Sequence, residues 1–205
     1  MAIDKIYSSY ILCLSCIFFS CFSGCFLFCE IETVTLKWTS LLCTQVCMTQ
    51  LEREFRKVPG IAEVALDQGS GGATIKWRPN YRFSFSDVNV PMRLVGLSIR
   101  DIHIKVKGKL SHDAHSVFLT SIGDNTQFQL LNPVTSTSGQ QAAVFNLAAR
   151  QLTPELRQKL LEGEAQKATA SIQGQIFMPG RSSALQIVVD SLNLEKEDTE
   201  KQKQK

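Results

Sequence analysis

Cys43 and Cys47 are the residues of this 205-residue chain whose type and spacing point most directly to chemistry. Thiolates are soft ligands that favour Cu(I) and Zn(II). Residues four apart on a helix share one face, with side chains about 5–6 Å apart, so a single ion can bridge both sulfurs. The start of a helix adds a second effect: its unpaired N–H groups favour negative charge and lower a thiol pKa. Three outcomes are open to such a pair. It grips a soft ion between two sulfurs, it oxidises and acts as a thiol–disulfide exchanger, or Cys47 packs inward and Cys43 is incidental. A helical i,i+4 pair sits near the upper end of disulfide geometry, so oxidation requires local unwinding.

Further ligands would have to come from the three histidines, His103, His112 and His115. His103 falls on an expected strand, far along the chain from the cysteines, and reads as a surface residue. His112-Asp113-Ala114-His115 lies in an expected hairpin loop and offers a weak divalent site. Three ligands from four consecutive residues strain such a loop, and solvated turn residues are the simpler reading. Catalysis finds little support. Gly69-Ser70-Gly71-Gly72 joins two strands instead of opening a helix, so it lacks the N-terminal dipole that cradles phosphate. No nucleophile elbow is present and the carboxylates are scattered, so no enzyme is expected.

The elements that must position the cysteines are legible from periodicity. Thr33 to Trp38 alternates with period two and reads as a half-buried strand. Ser40 to Val58 carries Leu42, Val46, Leu51, Phe55 and Val58 at helical spacing, with Glu52, Arg53, Glu54, Arg56 and Lys57 on the other side. Pro59-Gly60 stops that helix. Ile61 to Leu66 and Ala73 to Trp77 read as a hairpin with a flexible tip over 68–72. A weaker helix over Phe83 to Val95 contains Pro91, which calls for a kink or a late start near Val90. Ile99 to Val106 is the next strand, giving the order βαββαβ.

Counting from Cys47, an apolar residue falls at Leu51, an acid at Glu52, apolar residues at Phe55 and Val58, and then Pro59-Gly60-Ile61. Val64, Ala73-Thr74-Ile75, Trp77 and Pro79 continue the pattern. Over 34–107 the chain therefore resembles the heavy-metal-associated family, whose loop Gly-Met-x-Cys-x-x-Cys binds a soft ion. The resemblance implies a ferredoxin-like sandwich, with Cys47 at the second-ligand position and Leu42 at the buried methionine. Thr44 stands at the first-ligand position, Cys43 one residue earlier, and Leu41 replaces the glycine. The departure is confined to the loop that does the chemistry.

Five of the seven cysteines lie at or before Cys29, within a leader rather than a disulfide framework. Tyr10 to Phe28 is free of charge, follows Lys5 and precedes Glu30 and Glu32. Such a run is a secretory signal or a membrane anchor of about 20 residues, oriented with the remainder outside the cytosol. Phe22-Ser23-Gly24-Cys25 resembles a bacterial lipobox, which implies lipid on Cys25, with Cys21 a poorer second candidate. An uncleaved helix is the alternative anchor.

Ile104 to Leu110 runs through Gly108, which suggests a bend or bulge, so that one strand serves both units. Beyond it the pattern turns to long alternating strands, at 115–122, 126–131, 169–177 and 185–194. Thr153-Pro154-Glu155 opens a helix with Thr at the cap and Pro at its first position. This order resembles an OB-fold, a five-stranded Greek-key barrel with a helix between strands three and four. Gln140 to Ala149 fits a strand or a short helix, and the charged tail from Glu195 is expected to be disordered.

The expected architecture is thus α+β. A leader (1–29) precedes a ferredoxin-like sandwich (30–107), an OB-like β-barrel (108–194) and a tail (195–205). The net charge of +3 is not gathered into a stripe, which argues against a nucleic-acid partner. The barrel phenylalanines, Phe118, Phe128, Phe145 and Phe177, take core-facing positions rather than the basic–aromatic pattern of nucleic-acid barrels. The reading is an envelope-tethered protein, facing the periplasm or exterior, that captures or transfers Cu(I) or Zn(II). The alternatives are a non-catalytic envelope scaffold that docks a protein through its barrel, and a thiol–disulfide exchanger.

Overall fold

The computed structural model describes residues 31–39, 45–133, 150–177, 179 and 184–196. The leader with its lipobox and Cys25, the residue Cys43, the segment 140–149 and the end of the tail lie outside the described residues.

β1 (Ile31–Trp38) leads to α1 (Gln45–Arg56), followed by β2 (Ile61–Asp67) and β3 (Gly72–Trp77). α2 (Phe85–Leu94) precedes β4 (Ile99–His112), β5 (Val117–Ser121) and β6 (Gln127–Leu131). After α3 (Pro154–Ala165), β7 (Thr169–Ile176) and β8 (Leu185–Glu195) complete the order. Local chemistry explains most boundaries. Thr153 Oγ1 accepts from Leu156 N at 3.3 Å ahead of Pro154, and Ser84 caps α2 by accepting from Ser86 N. α2 starts at Phe85 and passes through Pro91, whose ring is buried on the inner face with Val88 and Met92. At the β2–β3 tip, Asp67 Oδ1 accepts from the backbone N–H of Gly69 and Ser70 while Gly71 takes a φ of +63°. Pro59-Gly60 ends α1 closely: a Cβ on Gly60 would come within 2.4 Å of the Tyr81 ring.

The inner face of α1 is Met48, Leu51 and Phe55, not the stripe through Val46 that the sequence suggested. Val46 is 75% exposed. At 100° per residue it lies about 140° around the helix from Leu51, so the two cannot share a buried face.

All eight strands join in one sheet, ordered β2-β3-β1-β4-β5-β6-β8-β7, and β4 also pairs with β7. That last pairing closes β4, β5, β6, β8 and β7 into a five-stranded barrel. The expected α+β ferredoxin-like sandwich is corrected here. Strand accounts for 46% and helix for 25% of the described residues, and the fold is a mostly-β one with a closed barrel and added strands. The physical reason lies in β4. A sandwich followed by a separate barrel needs a sheet edge after the last α/β strand, and β4 provides none there. One side of β4 pairs with β1 over Ile99–Val106 and then with β5 over Gly108–His112. Its other side pairs with β7 over His103–Lys109. The handover falls at Gly108, where β5 approaches too closely for any side chain.

The main hydrophobic cluster follows the continuous sheet, with a smaller one at Leu131, Phe177 and Val188. It runs from Val34, Leu51, Phe55 and Ile75 under the first helices to Leu119, Phe128, Leu160, Ile172 and Ile187 inside the barrel. Each of these is fully buried, and such a Val, Leu, Ile or Phe stabilises by about 1.5–3 kcal/mol. Trp77, Phe83 and Phe128 form an aromatic chain across the junction, with ring centroids 5.1 Å and 6.4 Å apart. Asp124 reinforces it. Its carboxylate accepts from Phe83 N at 3.2 Å and from the Thr126 hydroxyl, tying the loop before α2 to the β5–β6 turn. α3 packs against the barrel at Gly163, where a Cβ would meet Leu194 and Leu110.

Candidate cysteine site

The site is built at the end of β1. Trp38 is buried and its backbone N–H donates to Gly71 O at 2.9 Å, so the strand ends firmly beside the β2–β3 tip. The described part of α1, Gln45–Arg56, includes Cys47. Cys47 is half-buried and packs against the hydrophobic cluster. Cys47 is disulfide-bonded. Its partner lies outside the described residues, since the other six cysteines all stand at position 43 or earlier. A sulfur in a disulfide is not a soft anionic ligand, so these residues fit a metal only after reduction.

The histidines go elsewhere. His103 stands between two carboxylates on β4 and β8, its Nδ1 3.4 Å from Asp101 Oδ2 and its Nε2 3.5 Å from Asp190 Oδ2. His112 Nδ1 lies 2.6 Å from Glu164 Oε2 on α3. The loop His112-Asp113-Ala114-His115 is a turn held from inside. Asp113 Oδ1 accepts from the backbone N–H of Ser116 at 2.6 Å and of His115 at 2.8 Å. The Ser116 and His115 bonds hold that carboxyl below its ordinary value. The Arg157 guanidinium donates to the carbonyls of Asp113, Ala114 and His115. Among the described residues no group of three or more His, Cys, Asp or Glu side chains converges on a point that could hold an ion.

Arg157 was not anticipated from the sequence, because a lone Arg on a helix gives no sign of a loop 42 residues away. The Asp124–Thr126 lock did leave a sign: an Asp two residues before a Thr in a Gly-Asp-Asn turn favours local side-chain bonding. A broad, open cleft of about 800 Å³ was missed as well. It is lined by Tyr81, Phe85, Asp87, Thr126, Gln127 and Leu185, among others. Burial pushes the Asp87 carboxyl up.

No helix among the described residues is long and apolar enough to cross a membrane. No family model matches this chain, and no curated protein matches it in sequence.

Proposed function

We propose that this chain is a non-catalytic, envelope-tethered binding protein that captures or passes on a soft ion, Cu(I) or Zn(II), through Cys47 and Cys43 in their reduced form. The carrying observation is the covalent state of Cys47: it is joined to a second sulfur. Cys47 is thus within bonding reach of another thiol, and a two-thiolate grip would use that second sulfur once the bond is reduced. The spacing to Cys43 and the resemblance of α1 and the Pro59-Gly60 turn to the heavy-metal-associated pattern support the same assignment. The apolar leader, with Cys25 as lipid carrier, supplies the tether in this reading, and the barrel is left to dock a protein.

Titration of the reduced chain with Cu(I) against a competing chelator tests it. Sub-micromolar binding that is lost in both Cys47→Ser and Cys43→Ser is expected; equal binding by either variant and the parent chain overturns it. Palmitate incorporation in the parent chain but not in Cys25→Ala tests the tether.

The disulfide on Cys47 also favours a second reading, in which the pair exchanges electrons with other thiols. That reading requires a potential well above that of a structural disulfide, which lies below about −300 mV. Equilibration with glutathione buffers, read by alkylation of Cys47, separates the two: a resistant bond excludes exchange.

A further inference from the structure

We infer that β2 is a self-association edge, at which a second copy of this chain adds its own β2 in antiparallel register. β2 ends the strand order of the sheet, and its outer side has no strand partner among the described residues. An unpaired row of backbone N–H and C=O groups is a template for another strand unless Lys, Pro or a mid-strand bulge blunts it. β2 contains neither Lys nor Pro, and its irregularity lies at its start, between Ile61 and Glu63; there Ile61 already donates to Val58 O and accepts from Arg78 Nε, so the template is the stretch beyond it. The opposite end of the sheet closes into the barrel, so the sheet can be extended in this direction.

The strand is complementary to itself. Val64 is the middle of its seven residues, so a two-fold axis there sets Val64 against Val64 of the copy. Glu63 then faces Ala65, Leu66 faces Ala62, and Asp67 faces Ile61. Neither acid meets a like charge, and the apolar residues Ala62, Val64 and Leu66 form matching cross-strand pairs.

The flank of α1 above this edge is complementary too. A cleft of about 250 Å³ lies on one side of Val64, lined by Met48, Glu52 and Leu66 among others. A second of about 450 Å³ lies on the other, lined by Arg56, Ala62 and Arg78 among others. Glu52 thus stands toward Leu66 and Arg56 toward Ala62. The two-fold axis carries Glu52 of each copy to Arg56 of the other. Within one chain these two already pair at 2.6 Å, with Arg56 largely exposed, so two copies complete a ring of four alternating charges. A second copy is favoured over an unrelated peptide because both the register and the charge order are satisfied by the strand's own sequence.

Charge exchange in the full chain, kept in mild detergent and weighed by native mass spectrometry, tests this. The parent chain is expected to be a dimer at tens of micromolar. Glu52→Arg alone and Arg56→Glu alone each set like charges across the axis and weaken the dimer about tenfold or more. An equimolar mixture of the two variants is expected to recover a heterodimer. The Glu52→Arg chain is then basic at both helix positions, and it faces an Arg56→Glu chain that is acidic at both. Both substitutions sit on the solvent flank of a helix, and circular dichroism confirms that each variant is folded. A parent chain that stays monomeric overturns the inference. So does a dimer that neither variant weakens, which would place the contact elsewhere, including the leader.

Discussion

Gly108 and Thr120 are in backbone contact: a Cβ built on Gly108 would stand 2.4 Å from the Thr120 carbonyl oxygen and 2.9 Å from its carbonyl carbon. This is the point at which β4 leaves β1 and takes up β5. Gly108→Ala forces either strand to move, and the expected loss is about 2–3 kcal/mol. Urea unfolding followed by tryptophan fluorescence measures it. Trp38 and Trp77, the only two tryptophans, are buried on the far side of the junction from Gly108. If their transition does not move, the two regions are not coupled through β4.

Asp124 accepts from Phe83 N and from the Thr126 hydroxyl while itself nearly buried. Asp124→Ala leaves the Thr126 hydroxyl without its acceptor and takes one of two acceptors from Phe83 N. A cost of about 1–3 kcal/mol is expected. Asp124→Asn keeps a carbonyl oxygen in place and is expected to cost less. Thermal melts of both variants check the order; equal losses would show that packing, rather than hydrogen bonding, sets the contribution.

Arg157 reaches three successive carbonyls with one planar group. Arg157→Ala is expected to cost about 0.5–1.5 kcal/mol and to speed amide exchange over 112–117. Arg157→Lys should not rescue it, since an ammonium lacks the fork that spans adjacent acceptors. Hydrogen exchange by mass spectrometry distinguishes the three proteins.

Two exposed carboxylates make the turns sensitive to acid. Asp113 is held below 3.8 chiefly by the Ser116 backbone N–H, and Asp67 chiefly by the Ser70 side chain. For an acid whose folded pKa is lowered, the stabilisation is full above the unfolded value and is lost as pH falls through the folded one. Both contributions should therefore persist at neutral pH and fade below about pH 3.8. In Asp113→Asn and Asp67→Asn the melting temperature is expected to depend less on pH in that acid range. Asp87 has the opposite sign: its pKa is raised by burial, so its charge opposes folding as pH rises above 3.8, and Asp87→Asn should remove that decline.

The strands and helices were legible because each has a period that one residue type keeps. β2, β3 and α3 begin within a residue or so of the expected positions, marked by Pro59-Gly60, the Gly-rich tip and the Thr153-Pro154 cap. Pairing was less legible. The run from Ile104 to Leu110 through Gly108 did point to one strand serving both units, but alternation carries no record of which strands lie at its two edges, and so a sandwich was expected where the sheet closes into a barrel. Val46 misled for a different reason: it is apolar but lies about 140° around the helix from Leu51, out of phase with the buried face of Met48, Leu51 and Phe55. At the cysteine site, spacing marked Cys47 as chemically placed, whereas its bond to another sulfur depends on three-dimensional approach that no spacing encodes.

Because β4 serves two masters, the molecule resists being divided into interchangeable parts. A recombination event that transplanted the helical half would have to carry off the founding stave of the barrel, leaving a ruptured cylinder behind. A transplanted barrel would likewise strip β1 of its neighbour. Inheritance of this architecture is therefore all or nothing, and a truncation made anywhere between Ile99 and His112 should yield two insoluble fragments instead of two usable modules.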